Sequence, residues 1–203
     1  MRDAFDLDPS VVHLNHGSFG AVPRVVAEAQ RRIRGLAAAN PMRFHRVQSP
    51  HLKERARQVA GAFLGVGADE VALVRNITQA AATVLASIAQ RDRLRRGDTV
   101  VLGEQVYASV RSSVVRRCNE AGASYDIVGY GLDASDDAVV AAFRRTFDAV
   151  EARGERVRLV IVDHIASPTG AVLPVRRICA AARDAGALSF VDAAHVPGQL
   201  PAG

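Results

Sequence analysis

From about residue 70 onward the chain alternates short apolar runs with longer amphipathic stretches, and this alternation limits the possible folds more than any other feature. The runs are Val71–Val74, Thr99–Leu102, Ser124–Val128, Leu159–Val162 and Ala187–Val191. They are rich in Val, Ile and Leu and mostly lack polar/apolar alternation, as strands buried on both faces of a parallel sheet should. Between them, Ala81, Val84, Leu85 and Ile88 follow the i, i+3, i+4, i+7 spacing of one helix face, as do Val175, Ile178, Cys179 and Ala182. Val110, Val114 and Cys118 repeat every fourth residue, and so do Val139, Phe143 and Phe147. Gly97-Asp98, Gly122 and Gly186 stand where each helix would turn into the next strand. Five β units separated by helices predict an α/β fold, a mostly parallel sheet with flanking helices.

The stretch before the first run reads differently. Residues 1–21 are irregular and contain LNHGSFG at 14–20. Pro23 suits the first turn of a helix running to about Ala39, Asn40-Pro41 breaks it, and Ser49-Pro50 opens a second helix ending near Gly65. The expected organisation is an N-terminal arm with helices over 1–66, followed by an α/β domain over 67–203. No helical period follows Val191 to cover the last run, so that domain is expected to be incomplete at its C-terminus.

Composition narrows the function classes. An apolar fraction of 49% excludes a disordered chain. No apolar run reaches the roughly 20 residues of a membrane helix, and the start MRDAFDLDPS lacks the features of a signal peptide. Cys118 and Cys179 are too few for a disulfide scaffold. These features predict a cytoplasmic protein with no membrane partner. The net charge of +5 raises a nucleic-acid reading. However, all 26 basic residues but Lys53 are arginines, scattered over successive helical stretches. Their one cluster, Arg91, Arg93, Arg95 and Arg96, has no interleaved aromatics, so solvated helix faces and no nucleic-acid partner are expected. The histidines form no H-E-x-x-H and have no C-x-x-C companion, so no metal is expected.

Ligands of open α/β sheets bind beyond the carboxyl ends of the strands, so the residues that follow each run carry the most information. Arg75-Asn76-Ile77-Thr78-Gln79 opens directly into a helix, where free amides and the positive end of the dipole suit a phosphate. The same residues also read as a plain N-cap at Asn76 or Thr78. Gly103-Glu104-Gln105-Val106-Tyr107 brings an aromatic ring to the sheet edge, for packing or for stacking on a ligand. Asp163-His164-Ile165-Ala166-Ser167-Pro168-Thr169-Gly170 is a polar turn holding the Ser167 hydroxyl. Asp192-Ala193-Ala194-His195 puts a carboxylate at the end of a buried run, a costly place unless a cation or several donors face it. A phosphate site, an aromatic ring, a hydroxyl and a buried carboxylate together suit a flat, phosphorylated heteroaromatic cation. Neither GxGxxG nor GxxxxGK is present to support a nicotinamide or P-loop nucleotide site.

These residues carry a family resemblance. LNHGSFG at 14–20, NPMRFHR at 40–46, RNITQA at 75–80, ASPTG at 166–170 and VDAAHVPGQLP at 191–201 make the chain resemble the N-terminal portion of a class V aminotransferase, a fold type I pyridoxal-phosphate enzyme. Asn-His-Gly-Ser-Phe-Gly points within that family to the isopenicillin N epimerase-like branch. The resemblance implies pyridoxal 5'-phosphate as cofactor, an amino acid or amine as substrate and a homodimer. It implies that Ile77 and Thr78 hold the cofactor phosphate, Tyr107 stacks on the ring, Ser167 approaches the ring hydroxyl, Asp192 pairs with the pyridine nitrogen and His195 contacts the ring's oxygen side. Asn15, His16 and Gly17 would reach the substrate end. The Schiff-base lysine of such enzymes has no counterpart in these motifs. Lys53, the sole lysine, sits among charged neighbours and reads as a solvated helix position, so the catalytic lysine is expected beyond Gly203 and this chain alone is expected to be inactive. A cysteine desulfurase or C–S lyase is the alternative within the same chemistry. A non-catalytic remnant or interaction domain is the alternative from another class.

Overall fold

A computed structural model describes residues 2–90 and 94–201. They form two compact units that divide between Leu73 and Val74.

The first unit is helical. Its arm pairs Phe5 with Pro23 in an isolated antiparallel bridge before α1 (Arg24–Ala39). Asn40 ends α1 and caps α2 (Pro41–Arg43), its side chain accepting from the Arg43 N–H at 2.9 Å. A π-turn over Phe44–Gln48 leads into α3 (Ser49–Leu64), which Gly65 terminates at φ 72°, a conformation that glycine adopts without steric cost.

The second unit begins with α4 (Ile77–Gln90) and continues as β1 (Asp98–Gly103), α5 (Ala108–Ala121), β2 (Ser124–Val128), α6 (Asp136–Ala152), β3 (Arg156–Asp163), α7 (Val175–Asp184) and β4 (Leu188–Asp192). All pairs are parallel, in the order β2-β1-β3-β4. The predicted α/β class and its helices are therefore present, with four strands rather than five. Val71–Val74 is not a strand. Apolar character reports burial, but a strand also needs a backbone partner, and Leu73 and Val74 are about half exposed. Of the arginine cluster, Arg91 and Arg93 lie outside the described residues, as does Gly203.

Side-chain alternation sends the central strands to two cores. On one face Val100, Leu102, Leu159 and Ile161 pack with Ala81, Leu85 and Ile88 of α4 and Val110, Val114 and Cys118 of α5. On the other, Val101, Val157, Val160 and Val162 pack with Val139, Phe143, Phe147 and Val150 of α6 and Ile178 of α7. The unit is thus a three-layer α/β/α sandwich. Both edges are wetter than the middle, with Tyr125 and Ile127 on β2 and Leu188 on β4 partly exposed. The amino ends are tied by ion pairs: the buried Asp98 accepts from Arg156 at 2.5 Å and from the Arg95 N–H at 2.9 Å.

Phe143 is fully buried and lies against both Tyr130 and Phe147 at 6.2 Å between ring centroids. Phe143→Ala should cost about 3–5 kcal/mol. The check is a lowered urea midpoint with an unchanged slope.

Candidate functional site at the carboxyl edge of the sheet

The connections define where a ligand can sit. From β1 the chain goes to β2 on one side, then returns across β1 to β3 on the other, so the crevice opens between the carboxyl ends of β1 and β3. Gln105, buried after β1, accepts from the Thr169 hydroxyl at 2.5 Å and ties the loop after β3 to the loop after β1. The Ala166–Gly170 turn containing Ser167 is closed by the Gly170 N–H donating to the Ala166 carbonyl at 2.8 Å, with Gly170 at φ 72°. Ser167 is exposed.

α4 starts at this edge. Asn76 caps it, its Oδ1 accepting from the Gln79 N–H at 2.9 Å, while Gln79 Oε1 accepts from the Arg75 N–H at 3.1 Å. The capping role expected for Asn76 is therefore filled, and it leaves the amides of Ile77 and Thr78 ahead of it in the first turn without an intrahelical partner. The Thr78 hydroxyl lies 3.4 Å from that of Ser109 in the first turn of α5. Two helix starts thus converge with their hydroxyls and amide dipoles on one spot. Tyr107 precedes α5, and at 47% exposure the residue lies outside the core.

The strand ends supply the charge. Asp163 and Asp192 are register partners on β3 and β4, and both are buried. They follow Ile161 and Phe190 by two residues, which puts both on the face covered by α4 and α5. Asp192 Oδ1 accepts from the Ala194 N–H at 3.0 Å, which folds the chain into a turn and not a helix. His195 follows in that turn, half-buried. Burial, reinforced by the neighbouring Asp192, pushes the Asp163 carboxyl up to about 7, against a lowering from the Tyr107 backbone N–H.

The structure therefore brings Ile77, Thr78, Tyr107, Ser167 and Asp192 to one edge of one sheet, with His195 three residues beyond its last strand. Asn15, His16 and Gly17 belong to the first unit and are exposed there. Asn15 Oδ1 accepts from the Ser18 N–H at 3.1 Å, and the His16 ring lies edge-on to His13 at 4.5 Å. Lys53 is exposed on α3 of that unit. Asp163 and Gln105 were not singled out by sequence. A signal existed for Asp163: Leu159–Val162 ends in Val-Asp just as Ala187–Val191 does. Cys118 is fully buried, donates to the Ser124 carbonyl at 3.4 Å and has its thiol pushed up to about 11 by burial, which makes it structural and not nucleophilic.

The second unit is an open parallel sheet with two helix starts, a partly exposed tyrosine and two buried aspartates at its carboxyl edge. Comparison with known proteins makes the family explicit: residues 14–202 match the aminotransferase class-V family, to which this chain belongs. It is 38% identical over 201 residues to a protein of Oryza sativa subsp. japonica provisionally named L-cysteine desulfhydrase 1, covering 96% of this chain and 42% of that one. It is 34% identical over 200 residues to isopenicillin N epimerase of Amycolatopsis lactamdurans, covering 97% and 48%. The chain thus spans about half the length of these relatives. Its fold matches that of a C-DES variant carrying glycine linked to its pyridoxal-phosphate cofactor, with a TM-score of 0.81 at 23% identity over 99% of this chain and 51% of the other. The fold class read from the sequence, that of the fold type I large domain, is borne out. No helix among the described residues is long and apolar enough to cross a membrane.

The raised Asp163 fixes a pH dependence. The folded chain binds this proton more tightly than the unfolded chain, so folding stability from this group is greatest below about pH 4 and falls as pH rises toward 7. Asp163→Asn removes that fall. The Tm difference, variant minus wild type, should grow between pH 5 and pH 8, as read by thermal unfolding followed by circular dichroism.

Proposed function

We propose that this chain is the cofactor-binding portion of a pyridoxal-phosphate enzyme acting on an amino acid or amine. The observation that carries the reading is the buried Asp192 carboxylate, which lies at the same carboxyl edge of the sheet as the start of α4 and has no salt-bridge partner among the described residues. A buried carboxylate without a cation is costly, and a protonated ring nitrogen is a cation of the right size and direction to offset it. The phosphate, at the other end of such a ring, has the amides of Ile77 and Thr78 and the Thr78 hydroxyl to accept from, in the field of the helix dipole.

When bound, pyridoxal phosphate supplies an electron-withdrawing ring that makes the α-carbon of an attached amino acid acidic. Each residue has a defined part. Asp192 keeps the proton on the ring nitrogen, Tyr107 covers one face of the ring and excludes water from it, and Ser167 donates toward the ring oxygen. His195 bounds the same oxygen side. Gln105 and Thr169 hold the Ser167 turn in place. Asn15, His16 and Gly17 contact the substrate in this reading, and two copies of the protein form the working dimer.

The relatives divide the reaction between two outcomes. One is inversion or transfer at the α-carbon, as for isopenicillin N epimerase, and the other is cleavage of a C–S bond, as for a cysteine desulfhydrase. Sulfide release from L-cysteine selects the second. Exchange of the α-hydrogen without sulfide selects the first. Cofactor binding with neither outcome would mark a binding domain.

Asp192→Ala should weaken pyridoxal-phosphate binding at least about tenfold, since it leaves a buried ring cation unpaired. The measurement is a titration followed by cofactor absorbance, and unchanged affinity would remove Asp192 from its assigned role.

A further inference from the structure

Asp163 and Asp192 stand side by side at the ends of adjacent strands, 3% and 5% exposed. They differ in how they are satisfied. Asp192 holds the Ala194 N–H, whereas Asp163 Oδ1 is buried with no hydrogen-bond partner. Two buried carboxylates this close resist double ionisation, and an unpartnered oxygen adds a desolvation cost to the charged form.

The other groups around Asp163 do not relieve this. From the segment after β1 it has only the Tyr107 backbone N–H. Glu104, in the same segment, is committed to the Tyr130 and Gly131 amides at 3.1 and 2.7 Å. From beyond β2 comes the Tyr130 hydroxyl, buried and without a partner, whose phenol is pushed up to about 12 by burial and by the charges of Glu104 and Asp163. His164 follows Asp163 just past the end of β3, half-buried. No salt bridge reaches either carboxylate among the described residues.

We propose that Asp163 is a positioning residue of the ring pocket, protonated while the pocket is empty and deprotonated when a ring cation pairs with Asp192. This rests on the cofactor reading above. The step is a proton loss: the O–H bond of the Asp163 carboxyl breaks, the electron pair stays on oxygen, and the proton passes to buffer. Its cause is electrostatic. A cation beside Asp192 offsets the negative charge that holds the proton on Asp163, and the newly charged Asp163 then adds a second carboxylate to the field that keeps the ring nitrogen protonated. Asp163 acts through Asp192 and need not touch the ring.

The test counts protons. Cofactor-free protein is titrated with pyridoxal phosphate by calorimetry at pH 7, in two buffers of different ionisation enthalpy, for wild type and Asp163→Asn. Wild type should release measurably more proton than the variant, which has no carboxyl proton at position 163 to lose. In parallel, the side-chain carboxyl 13C resonance of Asp163 is followed against pH with and without Asp192→Asn. Its midpoint should fall in the variant, a shift that a purely structural Asp163 would not show. Equal proton counts with cofactor bound in both proteins overturn the proposal and leave the cofactor reading intact. An Asp163 midpoint in the ordinary carboxylate range, or one unmoved by Asp192→Asn, also overturns it. Failure of wild type to bind the cofactor overturns the cofactor reading, and the proposal with it.

Discussion

A sheet of parallel strands obliges the chain to return to the same end after every strand, and both faces then have to be covered. Most of this structure follows from that obligation. The returns are α5, α6 and α7, and their apolar stripes close the two cores on either side of Val100, Val101, Leu159 and Val160. Every loop that leaves a strand end emerges at one edge, so the polar residues that cannot be buried in the cores collect there. The reversal of direction between β1 and β3 keeps those loops apart and leaves a crevice.

The same geometry generates the electrostatics of the edge. Parallel, in-register pairing of β3 with β4 places Asp163 opposite Asp192. The start of α5 lies at this edge because α5 follows β1, and the start of α4, which follows no strand, is held there by Thr78 lying 3.4 Å from Ser109. The amino edge has the opposite character. There Asp98 with Arg156, and Glu155 with Thr99, Ser124 and Arg153, satisfy one another.

Much of the site was legible because its residues end recognisable runs. Tyr107, Ser167 and Asp192 each follow a strand, and sheet topology alone assigns such positions to the carboxyl edge; Asn76 to Thr78 follow an apolar run that is not a strand and reach that edge through the start of α4. Two features were not legible. Gln105 is a polar residue among loop residues until Thr169, 64 positions later, arrives at 2.5 Å. Asp163 reads as the start of a turn until strand register shows what lies beside it. The reverse error occurred at Val71–Val74, where apolar character implied a strand that has no backbone partner.

The sequence by itself determined the α/β class, the helices with most of their buried positions (Val84 is exposed), and the family, because hydrophobic period and short motifs are local properties. Tertiary structure decided the rest: the number of strands, their order, which loops face each other across the crevice, and the pairing of two carboxylates on neighbouring strands. The physical reason is that hydrogen-bond register and like-charge proximity are relations between distant segments. Burial raises Asp163 only because folding sets it beside Asp192 and away from water, and no reading of either residue in its own stretch of chain contains that fact.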